Sequence, residues 1–470
     1  MTDSNTTTPA PGAAISEVIA RFAAQFKPAD VPAEVRARAR LLILDAIGIA
    51  LASHGYEFSR RATAAISELD SGGKSPVIGS AQRMDPRNAI LLNGILIHGL
   101  DYDDTHSQGV IHATTSVLPT VLAMAAKHGK SGLELLTAYV LGVEVATRLG
   151  SVAKGGFHQV GFHPTGLIGA FGCTIGTGWL LGLNEAQYVD AQGIALSVAS
   201  GSLEFLNDGA WNKRMHPGWA GCAGVTAATF GRHGYTGTRL AYEGRFGLYA
   251  SHLGAGIDYD LGLATKDLGK VWEVTRVSVK PLPACHFTHA PIDAALRIQK
   301  RGIDPTQIRR IKVLAPAEVI KTVCEPQDSK RKPANSYEAQ FSSVFLVATA
   351  LVKGRLTLDD LEGEALVDPR VLALTAISDY EVDAASQFPK YFDGEVVVEL
   401  KDGTVLRERE AMNRGSVDRP LTADDIIAKY RDNAARQAST ARAAEIENRI
   451  LNLEQESAAS LAEFLGQASR

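Results

Sequence analysis

The period of the hydrophobic pattern changes twice along the chain. From residue 14 to about 270, apolar positions recur at three-and-four spacing with Gly or Pro at the joints, which predicts consecutive helices. Pro32 suits the first turn of one of them, and RARARLLILDAIGIALA continues it with an apolar face too wide for a surface helix. TGLIGAFGCTIGTGWLLGL is apolar nearly all round and belongs in the middle of a large helical domain. After residue 270 the period shortens. VWEVTRVSVK and IRRIKVLAP alternate as strands do, and GEVVVELKDGTVLREREA reads as a hairpin turning at Asp402-Gly403. Helices are predicted between them, over 286–300 and 339–353. Helical spacing returns beyond Met412, with Thr422 as an N-cap. The end of the chain carries Ile446, Ile450, Leu453, Leu461 and Leu465 near coiled-coil spacing, interrupted at Ser457. Two readings stay open there, a helix lying on the main domain and an intermolecular coil.

The pattern thus predicts a mainly α protein with two cores: a disordered tail over 1–13, a large all-helical domain over 14–270, a smaller α+β block over 271–412, and helices over 413–470 that return to the helical domain. A length of 470 residues also exceeds what one hydrophobic core serves. Composition narrows the function classes. A net charge of −4 supplies no basic field for nucleic acid and no polybasic stripe for a membrane surface, so an anionic ligand must be met by local cations. Cys173, Cys222, Cys285 and Cys324 have no C-x-x-C pair among them, which argues against a disulfide framework or a four-thiolate metal site. The start of the chain has no apolar targeting core, and no uninterrupted apolar run approaches membrane-spanning length, so a cytoplasmic location is expected.

Candidate chemistry concentrates in LLNGILIHGLDYDDTHSQGVIHATTSVLP, residues 91–119. Asp101, Asp103, Asp104, Thr105, His106 and His112 stand between two apolar helical runs, where charged groups are costly without partners or a polar cavity. The alternative is a solvated loop in which Asp103, Asp104 and Thr105 cap the next helix. His163 directly precedes Pro164, a pairing that opens a helix and places the ring in positive potential. His216-Pro217 repeats it, with Lys213 and Arg214 just ahead as a carboxylate clamp or, alternatively, a basic turn. Lys280 leaves the end of a strand before a Pro-rich turn holding Cys285, His286 and His289, whose spacing makes a poor zinc site.

HGLDYDDTH, GFHPTGLIGAFG, KRMHPGWAG and KPLPACHFTHAPIDA, in this order, resemble the MmgE/PrpD family over roughly residues 14–430. The resemblance implies an all-helical domain with an α+β lid, a homodimer, an active site between lid and helical domain, and catalysis without metal or organic cofactor. It puts catalytic roles on Asp101, Thr105, His112 and His163, and substrate binding on Lys213 and Lys280; Arg214 and His216 join them as neighbours in the same motif. Phe345 stands where the family often has Tyr, which withdraws a hydrogen-bond donor from the expected site. The family's chemistry moves a proton beside a carboxylate, with fixed cations for the developing dianion and imidazoles as general acid and base. The expected function is a cofactor-independent lyase on a di- or tricarboxylate, preferably a hydro-lyase of the 2-methylcitrate dehydratase kind. The alternatives are a decarboxylase of the cis-aconitate kind, an epimerase, a non-catalytic carboxylate-binding protein, and a metal enzyme using His98, Asp101, Asp104 and His106.

Overall fold

The computed structural model of the protein describes residues 12–467; the expected N-terminal tail lies almost wholly outside them. The first part of the chain runs α1 Ile15–Gln25, α2 Ala33–Ser53, α3 Glu57–Leu69, α4 Pro86–His98, α5 Ala113–Lys127 and α6 Gly132–Val152. It continues with α7 Gly156–Gln159, α8 Pro164–Leu181, α9 Glu185–Val198, α10 Asn212–Arg232 and α11 Leu248–Leu253. Two pairs of two-residue strands lie in or beside this helical part: β1 Ser75–Pro76 with β2 Arg83–Met84, and β3 Thr105–His106 with the later β4 Val277–Ser278. The second part holds α12 His289–Gln299, β5 Ile308–Ala315, α13 Ile320–Val323, α14 Gln327–Arg331, α15 Ser336–Gln340, α16 Ser343–Lys353 and α17 Pro369–Ala376. Strands β6 Ser378–Val382, β7 Gly394–Leu400 and β8 Val405–Glu410 follow, and then α18 Ala423–Ala434, α19 Thr440–Leu451 and α20 Ala458–Leu465.

The protein is mainly α, and its large core is built on α2, α4, α5, α6, α8 and α10. Close helix approach demands small residues at the crossings. A Cβ on Gly94 of α4 would stand 2.5 Å from the Gly218 Cα of α10, so these two helices meet backbone to backbone. Helix α6 is long and apolar enough to cross a membrane, yet it is enclosed by protein and carries the buried Glu144–Arg148 ion pair, 2.7 Å apart.

The second core joins α12, α16 and α17 to a sheet of order β6-β5-β7-β8. β5 runs parallel to β6 and antiparallel to β7, pairing Val313 with Tyr380 and Val396. Val396 and Val398 point into this core while Glu399 and Arg407 flank the turn, so the predicted hairpin alternates as its sequence requires. Residues 272–279 behave otherwise. The alternation of VWEVTRVSVK reads as one strand, but only Val277–Ser278 pairs, and Trp272, Val274, Val277 and Val279 enter the first core. Its partner, β3, lies in the aspartate-rich segment.

The chain's end settles on the first core as separate helices. α18 and α19 pack on α2, and α20 packs on α5 and β1. Ser457, which interrupts the apolar stripe, is the N-cap of α20, accepting from the Ser460 N–H at 3.1 Å. The stripe is therefore broken by a cap and buried within the chain, which removes the intermolecular-coil reading.

The α4–α10 crossing is sensitive to volume. Gly94→Ala forces the helices apart and is expected to destabilise by roughly 1–3 kcal/mol, the cost of overpacking a filled core. Thermal melts should show a clear loss for it and almost none for Gly55→Ala, whose new Cβ has only the Ala52 carbonyl at 3.8 Å.

Candidate active site

A cleft is lined by residues from both parts of the chain, and Asp101, Thr105, His112, His163, Lys213 and Lys280 are all among them. Four sequence-distant segments converge here. Helix α4 ends at His98 and delivers Asp101 in a left-handed conformation (φ 49°), an uncommon state for a residue with a side chain. Val110, also on the cleft, shares this φ of 49°, which is costlier for a β-branched residue. The β3–β4 pairing holds the segment after Asp101 beside the segment before Lys280. Lys280 Nζ then donates to the Asp101 carbonyl at 2.7 Å and approaches Asp101 Oδ1 at 3.3 Å.

Lys213 enters from the first turn of α10 and donates to Asp101 Oδ1 at 2.5 Å. This differs from the expected helix opening at His216-Pro217: α10 already starts at Asn212, Lys213 and Arg214 belong to its first turn, and Pro217 lies inside. Burial alone would raise the Asp101 carboxyl, but the Lys213 and Lys280 ammonium groups outweigh it and hold it well below the carboxylate range. Two cations thus share one anion in the cleft wall.

His112 is the residue before α5, not a bystander of a capped loop. Its Nδ1 lies 2.8 Å from the Asp104 carbonyl and 3.3 Å from Asp103 Oδ2. A carbonyl only accepts, so Nδ1 carries the proton and Nε2 is the nitrogen left for the cleft. Thr105 Oγ1 stands 3.4 Å from the same Nδ1, and the His112 backbone N–H donates to Thr165 Oγ1 at 3.1 Å. Asp103 also meets His98 Nδ1 at 2.8 Å. Burial would raise the Asp103 carboxyl; His98 and His112 pull it far below its usual value, so it serves both rings as an anion. Asp104 is the opposite case. Burial, with the Asp103 and Asp45 carboxylates, pushes it up to about 7 against a hydrogen bond from Thr114. Neither aspartate caps a helix.

His163 is the N-cap of α8 with Pro164 at the first helical position, as its sequence predicts. Its Nδ1 lies 3.0 Å from His216 Nδ1. Burial depresses both rings, His216 to about 4 and His163 well below its ordinary value, so this is a hydrogen bond between neutral imidazoles. His216 sits behind His163 and does not line the cleft. Arg214 does not line it either: it donates to the Gly99 carbonyl at 2.9 Å and stacks 4.3 Å from the Phe58 ring and 4.7 Å from Tyr337. In this structure these two residues, expected to bind substrate, contact groups beside the cleft and not the cleft itself. Phe345 is corrected as well. It is fully buried in the second core and off the cleft, so the departure from Tyr removes no donor from the wall.

The metal set weighed from the sequence does not converge. His106 Nε2 is taken by Glu273 at 3.0 Å, Asp104 by Thr114 and Asp101 by the lysines. His98, Asp103 and His112 do bring ligand atoms within 4.8 Å. There His112 Nδ1, the atom facing Asp103, is occupied by its proton and has no lone pair for a cation. Sequence reasoning missed His158, which lines the cleft and is depressed to about 4 by burial and then by Lys213. The repeat of Gly-Phe-His at 156–158 and 161–163 was the available signal.

The raised Asp104 carboxyl predicts a pH dependence with a definite sign. Its folded pKa of about 7 exceeds the unfolded value of 3.8, so the folded state keeps a proton that the unfolded state loses. This contribution is full below the unfolded pKa and disappears as pH rises through about 7. The thermal midpoint of the parent is expected to fall more steeply between pH 5 and pH 8 than that of Asp104→Asn, measured in parallel melts.

The sequence matches the MmgE/PrpD N-terminal domain over residues 17–259 and the MmgE/PrpD C-terminal domain over residues 282–455. It is 29% identical over 463 residues to the cis-aconitate decarboxylase-like protein oryM of Aspergillus oryzae, covering 94% of each chain. It is 28% identical over 420 residues to cis-aconitate decarboxylase of Homo sapiens, covering 86% of this chain and 84% of that one. The mitochondrial 2-methylcitrate dehydratase of Yarrowia lipolytica is 23% identical over 401 residues, covering 79% and 74%. The preference for a hydro-lyase drawn from the sequence is therefore not supported over its alternative, since the decarboxylases match at higher identity and coverage than the dehydratase. Matched along both of its parts, the chain belongs to the MmgE/PrpD family.

Proposed function

We propose that this protein is a carbon–carbon lyase that releases carbon dioxide from a small unsaturated polycarboxylate of the cis-aconitate type. The observation that carries the reading is the cleft wall itself: Lys213 and Lys280 share the single carboxylate of Asp101, beside an imidazole whose Nε2 is free. Two ammonium groups against one carboxylate leave a positive excess suited to an anionic substrate. The choice of carbon dioxide over water rests on the likeness to the cis-aconitate decarboxylases.

In such a reaction the bond to one carboxylate breaks, and its electron pair becomes a new double bond to the adjacent carbon. The old double bond passes its pair to the carbon beside a second carboxylate, forming an enediolate-like dianion. Lys213 and Lys280 stabilise that charge, and they do so more strongly than they bind the ground state because the charge is concentrated there. His112, protonated at Nε2, delivers the proton to carbon; Asp103 and the Asp104 carbonyl hold Nδ1–H and stabilise the imidazolium before transfer. His163 lines the same cleft, its ring centroid 6.3 Å from that of His112. The electron pair stays within the substrate, so the scheme calls for no redox cofactor. The second part of the chain, which brings the Phe341 ring to 5.1 Å from Lys213 Nζ, is read as a lid over the helical part.

Proton NMR in deuterated water tests the reaction directly. With cis-aconitate, new terminal vinyl signals and one incorporated deuteron are expected; olefin formation from 2-methylcitrate would instead support the dehydratase reading. His112→Ala should lower turnover by about 10²-fold or more with little change in binding. Lys213→Ala and Lys280→Ala should weaken binding and turnover together. Turnover equal to the parent in all three variants rejects the assignment.

The protein is further proposed to work as a homodimer through the outer face of α10. Trp211, Met215 and Trp219 are 39%, 45% and 43% exposed and fall at four-residue spacing on one stripe of the helix that carries Lys213. Sedimentation at micromolar concentration should give a dimer for the parent and a shift to monomer for Trp219→Glu. A monomeric parent at that concentration contradicts the proposal.

A further inference from the structure

His286 lines the cleft beside Lys280 and has no part in the proton transfer above. The neighbouring polar groups nevertheless determine which of its nitrogens carries a proton. The backbone N–H of Phe392 donates to Asn413 Oδ1 at 3.1 Å. A backbone N–H has no lone pair, so the oxygen end of the Asn413 amide must face it, and the Nδ2 end then faces His286 Nε2 at 2.9 Å. An amide nitrogen donates and does not accept. His286 Nε2 is therefore the acceptor, and the one ring proton of the neutral imidazole sits on Nδ1.

The ring is 4% exposed, and burial, followed by the charges of His289, Lys280 and His112, keeps it neutral with a pKa far below the ordinary range. His286 Nδ1 is buried and has no hydrogen-bond partner among the described residues. An unanswered buried donor is costly and rare in folded proteins. The ring of His289 is 4.9 Å away, centroid to centroid, and its Nδ1 is also unpartnered, yet the two nitrogens make no hydrogen bond. His289 Nε2 is committed to the Ala284 carbonyl at 3.0 Å. Asn413 comes from the segment leading back to the helical part, held against the Lys280 strand because Gly415 (φ 82°) has no side chain; a Cβ there would meet the Val279 carbonyl oxygen at 2.1 Å.

We propose that His286 is an uncharged hydrogen-bond donor to a substrate carboxylate, its Nδ1–H set by Asn413, giving the cleft a second carboxylate contact besides the lysines. The inference deepens the polycarboxylate reading and rests on it. A neutral donor recognises an acceptor-only oxygen and adds no charge next to Lys280. The cleft thereby selects a substrate with at least two carboxylates.

Full-length protein labelled with ¹⁵N-histidine tests this, with tricarballylate, a saturated tricarboxylate, as the probe. Long-range ¹H–¹⁵N spectra should show His286, identified by its loss in His286→Asn, as the Nδ1–H tautomer, and its Nδ1 signal should shift when the probe binds. By calorimetry, His286→Gln should bind the probe at least about tenfold more weakly than His286→Asn, because the Asn amide overlays Nδ1 and the Gln amide overlays Nε2. Asn413→Leu should release the tautomer preference and weaken binding. An Nε2–H tautomer, an imidazolium, a Nδ1–H that pairs with His289 and stays there, or equal losses in the Asn and Gln variants overturns the proposal. A probe that binds while His286 is silent removes the donor role alone. A parent that binds no polycarboxylate removes the substrate class and the donor role together, while the tautomer remains measurable by itself.

Discussion

The buried charge cluster of Asp101, Lys213 and Lys280 is the constraint on which the cleft depends. Each charge taken out of water carries a desolvation cost of several kcal/mol, and a buried charge that loses its partner is strongly destabilising. Asp101 therefore ties three distant parts of the chain together: the end of α4, the first turn of α10 and the segment after β4. Its left-handed backbone lets the carbonyl accept from Lys280 while the side chain meets both lysines. The cluster makes sense as a binding wall because it is not neutral; a carboxylate ligand would balance the second ammonium.

The surrounding structure holds that cluster in place from behind. Lys429 of α18 donates to Asp45 of α2 at 2.9 Å and to the Tyr102 carbonyl at 2.8 Å, one residue past Asp101. Gln340, the last residue of α15, donates its side-chain amide to the Leu100 carbonyl at 2.5 Å, and its backbone carbonyl accepts from the Cys285 N–H at 2.9 Å. The aspartate segment is thus gripped by the helical core, the returning C-terminal helix and the second core at once. The glycine crossing of α4 and α10 sets how near Lys213 comes to Asp101.

Four histidines at or behind the cleft illustrate how burial and local partners divide one side chain into different roles. His98 and His163 are kept neutral by burial, His98 at about 4. His112 has its Nδ1 proton assigned by the Asp104 carbonyl, and His286 has the opposite nitrogen, Nε2, occupied by a donor. The two rings are therefore both Nδ1–H tautomers, reached through different partners. For His112 this leaves an acceptor nitrogen toward the cleft; for His286 it leaves a buried donor without a partner among the described residues.

The sequence by itself determined the helical period of the first part, the hairpin at Asp402-Gly403 and the N-cap at His163 through local spacing, and six of the residues that line the cleft through the order of motifs that carries the family resemblance. It also placed Asp101, Thr105 and His112 in one segment. Tertiary structure alone decided the rest. Val277–Ser278 could be assigned to the first core only once β3 was seen as its partner, since alternation does not name the neighbouring strand. Arg214 and His216 share a motif with Lys213, but helical geometry turns them onto Phe58, Tyr337 and His163, away from the cleft. Asp103 and Asp104 are adjacent and chemically identical, yet one is held as an anion by two imidazoles and the other is pushed up to about 7 by burial. Asn413 left no mark in any motif, because its role consists of two hydrogen bonds to residues that are distant in the chain and adjacent only in the fold.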